Sequence, residues 1–327
     1  MDLRFKTNLL EHMKAIGGWA RQHGINALVD PVTFELQLHD GNRRRALNPL
    51  FVGRPDGTNY SYFATPEKFA VGFVGWLPYP VQAWDISRDK LLFKRLVTDL
   101  GLKAPEMFTH PGQAKGPFLV KRRQGSFGDG LRGPFMPGTE ESRQLRLADG
   151  EFIESFKTPR IARAWYWADQ LAVLELFDMP AMTGDGRSTY VELLFKRIGG
   201  GALDIPQNFA HLCRLAGQEP QDIVPAGKQV LIDYRYVSPF NPTVYTNSNV
   251  ITTANPRALQ HFSEAGRVIW PHLPIARRHA AAYVIDAIVD RNDQPWLLEL
   301  NCNPQLHPDI YSVMLASLMK LAVQSMH

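Results

Sequence analysis

Three oxygen-bearing side chains stand in apolar runs near the end of the chain: Asp286, Glu299 and Asn301, within YVIDAIVDRNDQPWLLELNCNP, residues 283–304. The two runs read as antiparallel strands joined by a polar turn. Alternation puts Glu299 and Asn301 on one face, because they are two residues apart. If Asp290 pairs with Pro295 across a turn of residues 291–294, counting back sets Asp286 opposite Glu299. Carboxylates directly opposed on a sheet repel. Burying them unpaired costs on the order of several kcal/mol, or forces one to protonate. A divalent cation between them removes the conflict, and two carboxylates with an amide oxygen are hard ligands of the kind Mg²⁺ takes. A lone acid at a strand end, wetted or paired with an arginine, would need no metal. Three donors on adjacent strands favour one. Cys302 points to the opposite face and reads as a small core residue.

Mg²⁺ in such a site commonly shares phosphate oxygens, and a second stretch could bring them: FLVKRRQGSFGDGLRG, residues 118–133. A strand delivers Lys121, and Gly125, Ser126, Gly128 and Gly130 then make a loop whose backbone N–H groups can approach phosphate closely. A flexible turn of no function is the competing reading. The literal GxGxxG at Gly128, Gly130 and Gly133 is not a dinucleotide fingerprint. That motif must open a helix, whereas Pro134 and Pro137 follow here. No GKS or GKT is present, which excludes a P-loop.

The elements that must hold these residues follow from periodicity and turn chemistry. Residues 4–20 place Leu9, Leu10, Met13, Ile16 and Trp19 at helical spacing. Residues 34–51 alternate around Asp40 and Gly41, a hairpin signal. The stretch 53–84 takes no assignment. Ser87 is an N-cap for a helix over 88–100 ended by Gly101, with Leu91, Leu92, Leu96 and Leu100 as its apolar stripe. Strands follow at 116–121 and successively over 150–176. A polar, irregular segment begins at 199–201, then come a strand at 229–237, a helix at 257–270, the hairpin, and a closing helix at 307–323. Trp165 and Trp167 share a strand face and read as core.

Of 327 residues, 45% are hydrophobic and 21% charged, the balance of a globular protein. No apolar run reaches membrane-spanning length, and the N-terminus lacks the pattern of a secretory signal. Two cysteines make no disulfide framework, so a cytoplasmic location is expected. The net charge of +4 is mild. Basic clusters at 43–45, 121–123 and 277–278 read as solvated surface or anion contacts, and no nucleic acid partner is expected. Serine-hydrolase and zinc motifs are absent. His307, beside Pro308, reads as a cap for the last helix, with substrate contact the lesser alternative.

Taken in order, these pieces resemble the ATP-grasp superfamily over roughly residues 85–320. Asp89 and Lys90 open a helix ending in LG, with Pro105 beyond. FLVK precedes the GSFGDG loop, IESF (153–156) looks like the adenine hinge, and RIARAWYW follows with Arg163. TGDGRSTYVELL (183–194) is similar to a segment of cyanophycin synthetases. VIDAIV and LLELNCNP match the metal-binding end, and their ExNxxP is the most specific signal. The likeness is strongest to the group of cyanophycin synthetases, ribosomal-protein glutamyl ligases and glutathione synthetases. It implies an α/β fold of α+β lobes, namely an ATP-grasp region at 86–327 behind a small N-terminal α/β domain at 1–85. Residues 105–160 or so would form the small lobe with its glycine-rich lid, and the remainder a large lobe with the metal site.

The resemblance also implies roles. Lys90 and Lys121 would contact ATP phosphates, under the loop of Gly125, Ser126, Gly128 and Gly130. Glu154, Ser155, Phe156 and Lys157 would line the adenine, and Asp286, Glu299 and Asn301 would hold one or two Mg²⁺, with Mn²⁺ able to substitute. The reaction would join a small-molecule or peptide carboxylate to an amine through an acyl phosphate, and a homodimer is compatible with the family. Arg163 stands at the family position for holding the carboxylate. Arg235 joins it as an arginine in an otherwise apolar strand, with a solvent-facing position the alternative. The chain departs from the family pattern at Arg160 and Ile161, where an acid often holds the ribose, and at Phe177, where the cyanophycin type carries arginine. Asp185 and Arg187 suit phosphate contact and a tight turn equally. Two rivals remain: a kinase acting on a small-molecule hydroxyl, and a non-catalytic nucleotide-binding protein like the synapsin relatives.

Overall fold

Helix α1 (Leu9–Gln22) buries His12, Ile16, Trp19 and Ala20. The expected stripe is rotated, leaving Leu10 and Met13 exposed. The face that packs carries His12, whose Nδ1 bonds the Tyr311 hydroxyl at 2.9 Å and whose ring meets Phe73 edge-on. The computed structural model describes residues 9–41, 43–57, 60–125, 130–198, 208–236, 238, 240, 248–274, 276 and 278–320. The first residues of the expected helix, 4–8, lie outside these.

Strands β1 (Asn26–Val29), β2 (Leu36–Asp40), β3 (Arg43–Gly53), β4 (Ser61–Phe63) and β5 (Ala70–Leu77) form one antiparallel sheet. Its order is β1-β2-β3-β4, with β5 also paired to β3. Asp40 pairs with Arg43 at the expected hairpin tip, where Gly41 has a φ of 50°. β4 and β5 occupy the stretch left unassigned, whose glycines obscure the alternation. Gly75 (φ 140°) has a structural reason to lack a side chain, since a Cβ there would come within 2.7 Å of Leu306. The Leu306 N–H donates to the Val74 carbonyl at 2.8 Å, so the segment after the C-terminal hairpin rests directly on this sheet.

Helices α2 (Asp85–Arg88) and α3 (Lys90–Asp99) follow. Asp89, rather than Ser87, caps α3 by accepting from the Leu91 and Leu92 N–H groups. The Ser87 hydroxyl instead accepts from the Cys302 N–H at 3.1 Å. The buried face of α3 is Phe93, Lys94 and Val97, in place of the expected leucine stripe. A second antiparallel sheet comprises β6 (Met107–Phe108), β7 (Phe118–Arg122), β8 (Arg132–Phe135) and β9 (Glu151–Ser155), in the order β6-β9-β7-β8, with α4 (Glu140–Gln144) between β8 and β9 in the chain. Phe118, Val120, Phe135 and Ile153 make its core.

The remaining elements are β10 (Arg160–Trp167), β11 (Gln170–Asp178), β12 (Ala181–Thr183), α5 (Tyr190–Ile198), α6 (Phe209–Leu215), β13 (Gln229–Leu231), α7 (Pro256–Ile269), β14 (Ala282–Val289), β15 (Pro295–Asn301) and α8 (Ile310–Met319). β13 pairs with β12 but stops at Leu231, so the expected strand over 229–237 is cut short. The Asp233 carboxylate accepts from the Tyr234 and Arg235 N–H groups, a local turn that replaces the ladder. Arg235 is therefore not on a strand.

The central sheet runs β11-β10-β14-β15, all antiparallel. One face buries Ala162, Ala164, Tyr166, Tyr283 and Ile285 against Phe262, Ala265 and Ile269 of α7. The other face is apolar at both ends. Ile161 and Ile288 cluster with Leu119 and Tyr234, while Trp165, Trp167, Val173 and Val284 join one core with the N-terminal sheet and α8. The guanidinium groups of Arg43 and Arg45 cap the last carbonyls of α8, donating to Met319 and Leu318. Among the described residues no helix is long and apolar enough to cross a membrane.

Gly75→Ala should therefore cost about 2 kcal/mol or more, through overpacking against Leu306 and strain at its positive φ. Equilibrium urea unfolding of both chains measures this, and an unchanged midpoint would show that the Leu306 approach carries no energetic weight.

Candidate functional site

Register decides which charged side chains meet on the central sheet. Glu175 lies opposite Arg163, Arg163 opposite Asp286, and Asp286 opposite Glu299. The four form one row across β11, β10, β14 and β15, between the two apolar ends of that face. The facing pair Asp286 and Glu299 is as expected, but the route differs. Pro295 pairs with Val289, not Asp290, and a bulge at Leu298 adds the residue that restores the offset. Asn301 lies opposite Val284, two residues from Glu299.

The two facing acids are met by cationic side chains from neighbouring elements. Arg163 grips Asp286 with two bonds, Nε to Oδ1 at 2.6 Å and Nη2 to Oδ2 at 3.2 Å. Lys90 meets Glu299 at 2.8 Å and also donates to the Gly125 carbonyl at 2.6 Å. The Asn301 amide donates to Asp286 Oδ2 at 3.2 Å. Burial raises the Asp286 carboxyl above its ordinary range; Arg163 opposes this, and the Glu299 charge adds to it. Burial acts the same way on Glu299, but Lys90 and Lys121 outweigh it and hold that carboxyl low. The pair is thus split into a firm anion and a more readily protonated partner.

Among the described residues, no three or more His, Cys, Asp or Glu side chains group as metal ligands. The candidate set is mixed, two carboxylates and an amide on neighbouring strands. Its hard oxygens and concentrated negative charge fit Mg²⁺, which would take over the countercharge that Lys90 and Arg163 supply.

Behind the row, Glu154 is buried between two lysines, Lys121 at 2.6 Å and Lys94 at 2.9 Å. Burial raises the Glu154 carboxyl, but Lys121 and Lys94 more than reverse this and hold it at about 2. Lys94 is fully buried and its ammonium is pushed down by that burial, against the support of Glu154. Of the other hinge residues, the Ser155 N–H donates to the Glu106 carbonyl and the Phe156 N–H to Pro117. Phe156 packs on Tyr234, and the Lys157 ammonium lies 4.0 Å from the Trp296 ring centre. Gly125 and Gly130 flank residues 126–129, so Ser126 and Gly128 lie outside the described residues.

Arg235 does not join the row. Its guanidinium is paired with Asp233, at 3.0 and 2.9 Å. Its neighbour Tyr236 instead covers Arg163, the guanidinium carbon lying 3.6 Å from the ring centre. Asp185 accepts from the Arg187 and Ser188 N–H groups and the Ser188 hydroxyl, which makes the GDG segment a tight turn. His307 is buried. Its Nδ1 accepts from the Asp309 N–H before α8, as a capping residue would, and its Nε2 lies 3.1 Å from the Ser248 hydroxyl. Sequence reasoning missed Lys94, Glu175 and Tyr236. For the first two a signal existed, since each is a charged residue amid buried apolar neighbours, in LLFKRLV and LAVLEL. A cavity of about 490 Å³ beside β8 is lined by Arg132, Phe135, Glu141, Arg146 and His211, and shares no residue with the row.

No family model and no curated protein sequence matches the chain. Solved structures do. A bifunctional glutathione synthetase from Pasteurella multocida matches at 13% identity and a TM-score of 0.44, covering 97% of this chain and 45% of its own. D-alanine–D-alanine ligase from Bacillus anthracis matches at 12% identity and a TM-score of 0.40, over 72% of this chain and 66% of its own. VanG D-Ala:D-Ser ligase from Enterococcus faecalis matches at 13% and 0.38, over 72% and 62%. The chain thus spans less than two thirds of the length of each of these proteins.

Glu154→Gln should destabilise the chain by about 3–5 kcal/mol at pH 7, because it strands the buried Lys94 charge. The sign with pH follows from the lowered carboxyl. Its stabilisation is present above the ordinary value of 4.5 and is lost as pH falls toward about 2. Urea unfolding from pH 7 downward should show the gap between the two chains narrowing below pH 4.5. A gap constant with pH would contradict the ionised triad.

Proposed function

We propose that this chain is an ATP-grasp ligase that joins a carboxylate to an amine at the expense of ATP. The observation that carries the reading is the meeting of Asp286, Glu299 and Asn301 with Lys90 and Arg163 on one sheet face, backed by Lys121, in a chain whose motifs follow that family's order. In this reading residues 1–85 form a preceding domain and residues 86–327 the nucleotide-handling region, in a cytoplasmic protein. Cys213 and Cys302 are both free and buried, as suits a reducing compartment.

Each side chain then has a task. Asp286, Glu299 and Asn301 would hold Mg²⁺ or Mn²⁺, which would supply charge neutralisation for phosphoryl transfer. Lys90 and Lys121 exchange their carboxylate partners for phosphate oxygens. Residues 154–157 border the adenine. Arg163, its hold on Asp286 released, would bind the substrate carboxylate and the charge that develops on it, and Arg235, held by Asp233, is the second candidate for that task. A carboxylate oxygen bonds the terminal phosphorus as ADP leaves. The amine nitrogen then bonds the acyl carbon, loses a proton, and phosphate departs with the former carboxylate oxygen.

Incubation with ATP, MgCl₂, pooled carboxylates and amines, and hydroxylamine should yield ADP, phosphate and a hydroxamate or amide. ADP formed with neither product, or phosphate transferred stably to a hydroxyl, would overturn the reading. Once a substrate is found, Arg163→Ala should lower kcat by roughly 10²–10³-fold, the scale of losing one donor to a developing oxyanion, while the KM for ATP changes little. A normal kcat in that variant would remove Arg163 from the chemistry.

A further inference from the structure

Glu175 closes the charged row on the side away from Lys90 and Glu299, and none of the roles above uses it. It is fully buried, yet it stands on β11 directly opposite Arg163. Its two carboxylate oxygens take different partners. Oε2 accepts from the Tyr236 hydroxyl at 2.5 Å, and Oε1 from the Ser248 hydroxyl at 2.6 Å.

The direction of these bonds can be read from the far end. The Asp309 N–H donates to Nδ1 of His307, which leaves the neutral ring's proton on Nε2. That proton points to the Ser248 oxygen, 3.1 Å away, so the serine hydroxyl hydrogen goes to Glu175. The tyrosine hydroxyl donates from the other side. Both carboxylate oxygens therefore act as acceptors, which is what an ionised glutamate supplies and an amide supplies at only one atom.

The consequence reaches Arg163 through Tyr236. The phenol ring lies 3.6 Å from the Arg163 guanidinium carbon, on a side chain that Asp286 already grips through two nitrogens. A stacked guanidinium keeps one orientation only while its ring partner stays put. The Tyr236 ring is tethered by its hydroxyl to Glu175. The same carboxylate ties Ser248, so residues 236 and 248 are anchored to one point on β11.

We infer that Glu175 is a positioning residue, which fixes the Tyr236 ring over Arg163 and so sets the orientation of that guanidinium. Its bearing on turnover rests on the ligase reading; its bearing on Arg163 does not. The first test accordingly needs no substrate. The ligand-free full-length chain is treated with phenylglyoxal, and modification at each arginine is followed by peptide mass spectrometry. Loss of a hydrogen bond to a charged group should raise the rate at Arg163 about tenfold in Glu175→Ala, and in Tyr236→Phe too, since that change removes only the hydroxyl. The exposed Arg257 and Arg267 serve as controls and should change less than twofold in the same samples. Glu175→Gln, which keeps one acceptor, should recover part of the protection. A rate at Arg163 that stays at the wild-type value in Tyr236→Phe, or one that rises only in step with the controls, would overturn the inference. With a substrate in hand, Tyr236→Phe should lower kcat about tenfold and leave the KM for ATP within twofold, as loss of one such bond in the transition state would. Wild-type chain that forms no hydroxamate would sink the ligase reading alone and leave the arginine result standing.

Discussion

Four ionisable side chains directly opposed across a sheet cannot all be carboxylates and stay buried. Neighbours in such a row sit about 5 Å apart, and at that range unmatched like charges in a half-buried setting cost more than a strand contributes. The chain resolves this by order: Glu175, Arg163, Asp286 and Glu299, with Lys90 reaching the last. Asp286 and Glu299 are each met by a cation, Arg163 and Lys90, while Glu175 is held by the Tyr236 and Ser248 hydroxyls. Burial raises the Asp286 carboxyl, while Lys90 and Lys121 hold the Glu299 carboxyl low. In the ligase reading proposed above, a dication and a polyanion would replace these countercharges together.

The rest of the fold holds that row in register. α7 covers the back of the sheet, and the N-terminal sheet with α8 covers the front at the tryptophan end. The smaller sheet brings Lys121 toward the row and fixes it through Glu154, whose other partner, Lys94, comes from α3. α3 also delivers Lys90, and its capping residue Asp89 is held by Arg123 just beyond β7. Lysines from different elements are thus anchored by acids. In the reading proposed above, that preorganisation would lower the cost of binding phosphate, since their orientation is already set.

How much of this could be read from sequence varies with the physics involved. Asp286, Glu299 and Asn301 were legible because acids in apolar strands demand a partner, and their pairing came out correctly. The turn did not, because the bulge at Leu298 has no compositional signature and shifted the count by one. Arg235 was misplaced for a related reason: QVLIDYRYV alternates like a strand, but Asp233 captures the backbone N–H groups that the ladder would need. Lys94 and Glu175 were passed over because a charged residue in a helix or strand is by default assigned to solvent. β5 escaped notice because its alternation is broken at Gly75, which is dictated by Leu306, a contact between residues far apart in the chain. The sign and spacing of charge were legible; bulges, local turns and long-range approaches were not.

The dependence of nucleotide binding on the facing acids is the most direct measure of this picture. Titrating ATP calorimetrically into the wild-type chain and into an Asp286→Asn, Glu299→Gln double variant, each with and without MgCl₂, separates the contributions. Tight uptake by the wild-type chain only when magnesium is present, with that dependence lost in the variant, is the predicted result. Equal ATP affinity with and without magnesium in the wild-type chain, or a magnesium effect that survives in the variant, would contradict it.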